Sequence, residues 1–276
     1  MKQSLFLCGS ICSVLLSAPI VSAKNSSAEK RPNILFCIAD DATFDYFGAA
    51  GCSWVNTPNY DRLAAEGLFV ANCYTPNAKS APSRACVLTG RNSWQLGAAG
   101  NHINQFPSDV KAFTEVLSES GYSVFFTGKG CTPCNPGVVN GAPRELTGRA
   151  YNKHKSKKLT TGISATDYAA NIDQFFEDRG EDDSPFFCWF GSNQPHRKYE
   201  FMSGVTKGGK SLDMIDVVPP YWPDTDSVRH DMLDYALEVE EWYEEYRGHL
   251  FACYHRGRCV AKRAYPTLVF VARARA

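Results

Sequence analysis

The run Asn33-Ile34-Leu35-Phe36-Cys37-Ile38-Ala39, closed by Asp40-Asp41, decides the fold. Its apolar character is continuous rather than alternating, which marks a strand covered on both faces and therefore a parallel sheet. Leu68 to Ala71, Tyr122 to Thr127 and Pro185 to Phe190 read the same way. Helical signals lie between these runs. Thr57 as N-cap with Pro58 at the first helical position opens a helix that stops at Gly67. A second helix is expected from Pro82 to Thr89, ending at Gly90, and a third carries Phe113, Val116 and Leu117 and stops at Gly121. A fourth starts from the capping pattern Ser164 to Asp167 and carries Ile172, Phe175 and Phe176. Strands alternating with helices predict an α/β fold, a largely parallel central sheet flanked by helices. Asp226 to Tyr246 adds an acidic amphipathic helix.

Working outward, the 276 residues are 44% hydrophobic and 21% charged, which excludes a disordered polar polymer and a polytopic membrane protein. The 29 basic and 29 acidic residues cancel, but residues 247–276 hold six Arg and one Lys with no acid, leaving 22 basic against 29 acidic residues upstream. No nucleic-acid partner is expected for so acidic a body. Lys2, the apolar run Leu5 to Leu16 and Val21-Ser22-Ala23 read as a cleaved signal peptide over residues 1–23, implying a secreted or periplasmic protein without a membrane anchor. Residues 24–31 follow as a polar leader and 32–246 as the folded domain. Residues 247–276 read as an atypical basic tail, either a shifted or foreign reading frame or a basic extension. Cys131-Thr-Pro-Cys134 has CxxC spacing but no second CxxC or close His pair to complete a zinc site, which leaves metal or redox chemistry, a local disulfide or incidental thiols open.

Ligands of open α/β sheets collect at the carboxyl ends of the strands. Four polar clusters follow the predicted strands. Asp40-Asp41 is a mutually repelling acid pair that a hard divalent ion would compensate. Ser80-Ala-Pro-Ser-Arg84 puts a hydroxyl at the positive end of a helix with a guanidinium one turn on, a geometry for an oxyanion. Lys129 follows the Tyr122 to Thr127 run, and Gln194-Pro-His196-Arg197 follows the Pro185 to Phe190 run. Together they describe a site for sulfuryl or phosphoryl transfer.

These residues carry a resemblance. Arg31-Pro-Asn-Ile-Leu-Phe-Cys-Ile-Ala-Asp-Asp41, Thr57-Pro-Asn-Tyr-Asp-Arg-Leu-Ala-Ala-Glu-Gly67, Ser80-Ala-Pro-Ser-Arg84 and Leu88-Thr-Gly-Arg91 resemble, in order and spacing, the N-terminal part of type I sulfatases of the alkaline phosphatase superfamily. The Gln194-Pro-His-Arg197 stretch and Val217 to Glu240 are most similar to sulfamidase-like members acting on heparan-type sugars. The resemblance implies that Ser80 is oxidised to formylglycine by a radical S-adenosylmethionine maturation enzyme. One hydroxyl of the aldehyde hydrate would attack sulfur, and the other, deprotonated, would expel sulfate. It further implies Ca²⁺ held by Asp40, Asp41 and modified Ser80, and catalytic roles for Ser80, Arg84, Lys129 and His196. His102 and Arg197 are expected to touch the substrate, a sulfated glycan or small sulfated molecule.

The chain departs from the family in two places. Gly130-Cys131 follows Lys129 where many members carry a His two positions on. The resemblance also calls, after the acidic helix, for a later strand closed by Asp-Asn or Asp-His and for a further basic residue, and the sequence is expected to hold neither. The expectations are therefore an incomplete calcium shell, an exposed sheet edge and doubtful turnover. The rival readings are an inactive anion- or glycan-binding protein and a phosphatase or phosphonate hydrolase of the same fold.

Overall fold

The computed structural model describes residues 31–248 and 267–272. The expected signal peptide lies outside them, as does the leader apart from Arg31. A five-stranded sheet forms the centre: β1 (Asn33–Ile38), β2 (Ser123–Gly128), β3 (Arg149–Ala150), β4 (Phe186–Gly191) and β5 (Thr267–Ala272). The order across the sheet is β3-β2-β4-β1-β5, and every adjacent pair is parallel. The α-helices are α1 (Pro58–Glu66), α2 (Ser80–Thr89), α3 (Phe113–Glu119), α4 (Tyr168–Arg179), α5 (Ser203–Thr206) and α6 (Asp226–Gly248).

The continuous apolar runs are explained by two cores, one on each face. Along β1, Leu35 and Cys37 join one core with Ile172 and Phe175 of α4 and Leu233 and Ala236 of α6. Ile38, with Ile34 and Phe36 packed alongside, joins the other, with Ala85 and Leu88 of α2. β4 divides likewise, Phe186, Cys188 and Phe190 to the first core and Phe187 and Trp189 to the second. A strand with no wet face needs no polar alternation.

α1 has the expected bounds, but Thr57 does not cap it with its side chain; its hydroxyl donates to Asp61 and accepts from the Gly48 N–H. α4 is capped by Asp167, whose carboxylate accepts from Ala170 N–H, rather than from Ser164.

Two expectations are corrected. Leu68 to Ala71 forms no strand: Leu68 is 91% exposed and only Phe69 turns inward, onto Phe44 and Tyr60. Apolarity alone does not make a strand where no neighbour offers a ladder. No strand is expected after α6, yet Thr267 to Ala272 pairs along the whole of β1, from Asn33↔Thr267 to Ile38↔Ala272. β1 is therefore an interior strand, with β4 on one side and β5 on the other. The rest of residues 249–276 lies outside the described residues, and the residues following β5 in the sequence are Arg273-Ala-Arg-Ala276 rather than acids. Two-residue strands such as β3 escaped notice because they are too short to carry periodicity.

Candidate active site

The polar residues that follow β1, β2 and β4 meet at one end of the sheet. The chain crosses between strands there: Asp40 N–H donates to the Gln194 carbonyl, Ser192 N–H to Ile38, and Lys129 N–H to Gly191. Gly128 is required at the end of β2, because its φ is +79° and a Cβ would strike the Gly191 carbonyl. That close approach carries Lys129 back over the end of β4 and toward Asp40.

Asp40 is the hub. It is 5% exposed, and its Oδ1 accepts from Ser80 Oγ at 2.6 Å and from Arg84 Nη2 at 3.4 Å, while Oδ2 accepts from Lys129 Nζ at 2.6 Å. Burial by itself would raise its pKa. The charges of Arg84 and Lys129, with hydrogen bonds from Lys129 and Ser80, outweigh burial and hold the carboxyl below its ordinary value of 3.8.

Arg84 is 1% exposed, and burial pulls its pKa below the usual arginine value, with Asp40 acting against the fall. Its Nη1 donates to the carbonyls of Lys129 at 2.8 Å and Gly130 at 3.0 Å, so the guanidinium is anchored rather than mobile. Ser80 is the first residue of α2, after Lys79 at the N-cap, and Gly90 closes the helix in the left-handed conformation. The hydroxyl thus stands at the positive end of a ten-residue helix.

A cavity of about 290 Å³ opens over this cluster, lined by Asp40, Asp41, Lys79, Ser80, Arg84, His102 and His196 among others. Asp41 is exposed and adopts φ +65°, a left-handed conformation that aspartate tolerates better than most residues. His196 is exposed, and its Nδ1 lies 2.7 Å from the Arg197 carbonyl oxygen. As a donor to that carbonyl, Nδ1 carries the proton and leaves Nε2 with its lone pair. Lys129 reaches the cluster through Asp40. Arg197 does not line the cavity; its guanidinium is bound by Asp231 in a two-bond pair and lies over the Tyr199 ring.

Two contributors escaped the sequence reading. Lys79 adds a cation beside Ser80, signalled only by its place in the chain just before the motif. The Gln194 carbonyl fixes the Asp40 backbone, a role no side-chain motif can announce.

Ca²⁺ takes six to eight oxygens. Asp40, Asp41 and Ser80 are the described donors, both Asp40 oxygens already accept from this chain's own groups, and no cluster of three or more His, Cys, Asp or Glu exists among the described residues. The described residues therefore do not fit a calcium ion by themselves.

A parallel α/β sheet whose strand ends gather an acid, a helix-start hydroxyl and the Arg84 and Lys129 cations can receive an oxyanion. The Sulfatase family pattern matches residues 32–227, and the chain belongs to that family. It is 32% identical over 220 residues to the N-acetylglucosamine-6-O-sulfatase of Bacteroides thetaiotaomicron, covering 70% of this chain and 38% of that one. It is 30% identical over 227 residues to human N-sulphoglucosamine sulphohydrolase, covering 73% and 43%. The chain thus spans about two fifths of the length of these relatives. A phosphonate monoester hydrolase from Agrobacterium radiobacter shares the fold, with a TM-score of 0.54 at 17% identity over 88% of this chain and 62% of that one. No described helix is long and apolar enough to cross a membrane.

Proposed function

We propose that the protein hydrolyses sulfate esters or N-sulfates of glycans, with Ser80 as the residue that attacks sulfur after its oxidation to formylglycine by a radical S-adenosylmethionine enzyme. The supporting observation is the 2.6 Å contact between Ser80 Oγ and an Asp40 carboxylate kept charged by Arg84 and Lys129. Formylglycine would supply a geminal diol in place of one hydroxyl. The remaining work falls to the chain's own groups. Asp40 orients the hydroxyl and accepts its hydrogen bond. Lys79 and the α2 N-terminus draw a tetrahedral anion to it, and Arg84 steadies the same corner from below. His196 offers Nε2 to a leaving oxygen or nitrogen, and His102 closes the opposite wall. Arg197 reaches substrate only by exchanging out of its pair with Asp231. Calcium belongs to this proposal only with ligands beyond the described residues, and no step here runs through it. The relatives' names suggest a glucosamine carrying a 6-O- or N-sulfate as substrate, and export from the cell suits such a substrate.

The test uses the full chain co-expressed with a radical S-adenosylmethionine activase and assayed on sulfated glucosamines. The expected results are desulfation, loss of it in Ser80→Ala, and a Ser80 peptide two hydrogens lighter than encoded. Turnover that survives Ser80→Ala overturns the assignment. The shared fold of the phosphonate hydrolase raises a second reading, tested by offering phosphate and phosphonate monoesters alongside; preference for these would replace sulfate by phosphorus chemistry.

A further inference from the structure

Immediately beyond Lys129, Cys131 is buried and Cys134 half-buried, both as free thiols. Cys131 belongs to the core under α2, and Cys134 packs against that core. The carbonyls of Lys129 and Gly130, just before Cys131, form the shelf that receives Arg84, and Trp189 Nε1 donates to the first of them at 3.2 Å. On the other side, Cys134–Asn135 is a two-residue strand paired with Asn104–Gln105, which follows His102 in the chain. A link between the two thiols therefore ties the shelf beneath Arg84 to the strand pair that follows the His102 wall.

We propose that Cys131 and Cys134 are a disulfide-forming pair whose bridge fixes the Lys129–Gly130 shelf, and with it the floor of the anion cavity. The assignment goes beyond the sulfatase reading and stands without it. A disulfide needs sulfurs that can reach one another, and these two cysteines are separated by only two residues and pack in one core, Cys131 within it and Cys134 against it. The partly exposed Cys134 is the attacking group: its hydrogen bond with Cys131 holds it below the ordinary thiol value, whereas the same bond and burial push Cys131 up. The oxidant is a disulfide, either oxidised glutathione or a thiol-disulfide oxidoreductase. The Cys134 thiolate attacks one oxidant sulfur and releases the other as a thiol. Cys131, giving up its proton, then attacks the Cys134 sulfur of the mixed disulfide and expels the second thiol. Two electrons and two protons leave the protein, and the oxidant departs as two thiols.

The full chain, equilibrated across a reduced-to-oxidised glutathione series, is quenched with iodoacetamide and digested with trypsin. Gly130 to Arg144 is a single tryptic peptide that holds Cys131 and Cys134 and no other cysteine. Under oxidising conditions it should be two hydrogens lighter than encoded and take up no iodoacetamide; after dithiothreitol it should take up two equivalents. Uptake of two equivalents across the whole series, or a bridge from either residue to a different cysteine, overturns the proposal. As a second measurement, dithiothreitol should lower the melting temperature of the natural chain by several degrees and leave that of Cys134→Ser unmoved. An equal response in both chains overturns it as well.

Discussion

Two buried carboxylates in this molecule have opposite fates. Asp40, at the end of β1, is surrounded by Ser80, Arg84 and Lys129 and is held below its ordinary pKa. Glu238 of α6 is 1% exposed, accepts only from Thr160 Oγ1 at 3.1 Å, and leaves Oε2 without a hydrogen-bond partner among the described residues. Burial pushes it up to about 7, with Glu241 and Asp234 adding to the rise and Thr160 and Lys158 opposing it. Both side chains are taken from water at similar cost, and only the one at the cavity is repaid with cations. The difference teaches where charge is retained: fully at the strand ends, where Arg84 and Lys129 surround the acid, and only about half in the flank, where the carboxyl is part-protonated at pH 7.

The comparison breaks first at Arg84. Arg84→Met removes the buried guanidinium and strands Asp40 and two carbonyls, so chemical denaturation should show a loss of about 3–5 kcal/mol; a loss below about 1 kcal/mol would make the Asp40 network incidental.

Asp40→Asn keeps the shape and deletes the charge that Lys129 and Arg84 neutralise. Stability should fall by about 2–3 kcal/mol, while inorganic sulfate should bind on the order of tenfold more tightly by calorimetry, because a repelling charge has left the cavity. Weaker sulfate binding in this variant would mean that the anion does not sit beside Asp40.

Glu238→Gln sharpens the other side. The folded pKa near 7 exceeds the ordinary 4.5, so between these values the folded state holds a proton that the unfolded state has released, and stability falls as pH rises from 4.5 to about 7. Asp40 runs oppositely, contributing above 3.8 and losing its contribution as pH falls through its lowered folded value. Glu238→Gln should therefore gain about 2 kcal/mol at pH 8 and almost nothing at pH 4.5, read from denaturation curves at the two pH values. A gain independent of pH would remove the titration from the account.

The smallest expected effect is that of Ser80→Ala on stability, about 1 kcal/mol for one partly buried hydrogen bond, measured by thermal melting beside the large loss expected in turnover. A stability loss as large as that of Arg84→Met would make Ser80 a structural rather than a reacting residue.

The sequence by itself determined the parallel α/β class, since a two-faced strand must be apolar throughout, and Ile34 to Ala39 and Phe186 to Phe190 are. It also determined the candidate cluster, because Asp40, Ser80, Lys129 and His196 each follow a strand or open a helix, and chain order alone brings such positions to one end of a parallel sheet. Tertiary structure decided what local pattern does not encode. Leu68 to Ala71 has the apolarity of a strand and no neighbour, whereas Thr267 to Ala272, in a stretch dismissed on composition, finds β1 beside it. Arg84 could equally have been a surface residue; only the carbonyls of Lys129 and Gly130, 45 and 46 residues away, make it a buried one. Asp40 and Glu238 are both acids in the sequence, and their opposite pKa shifts come from long-range neighbours. A ladder or an electrostatic environment belongs to pairs of segments, so it exists only once the chain has folded.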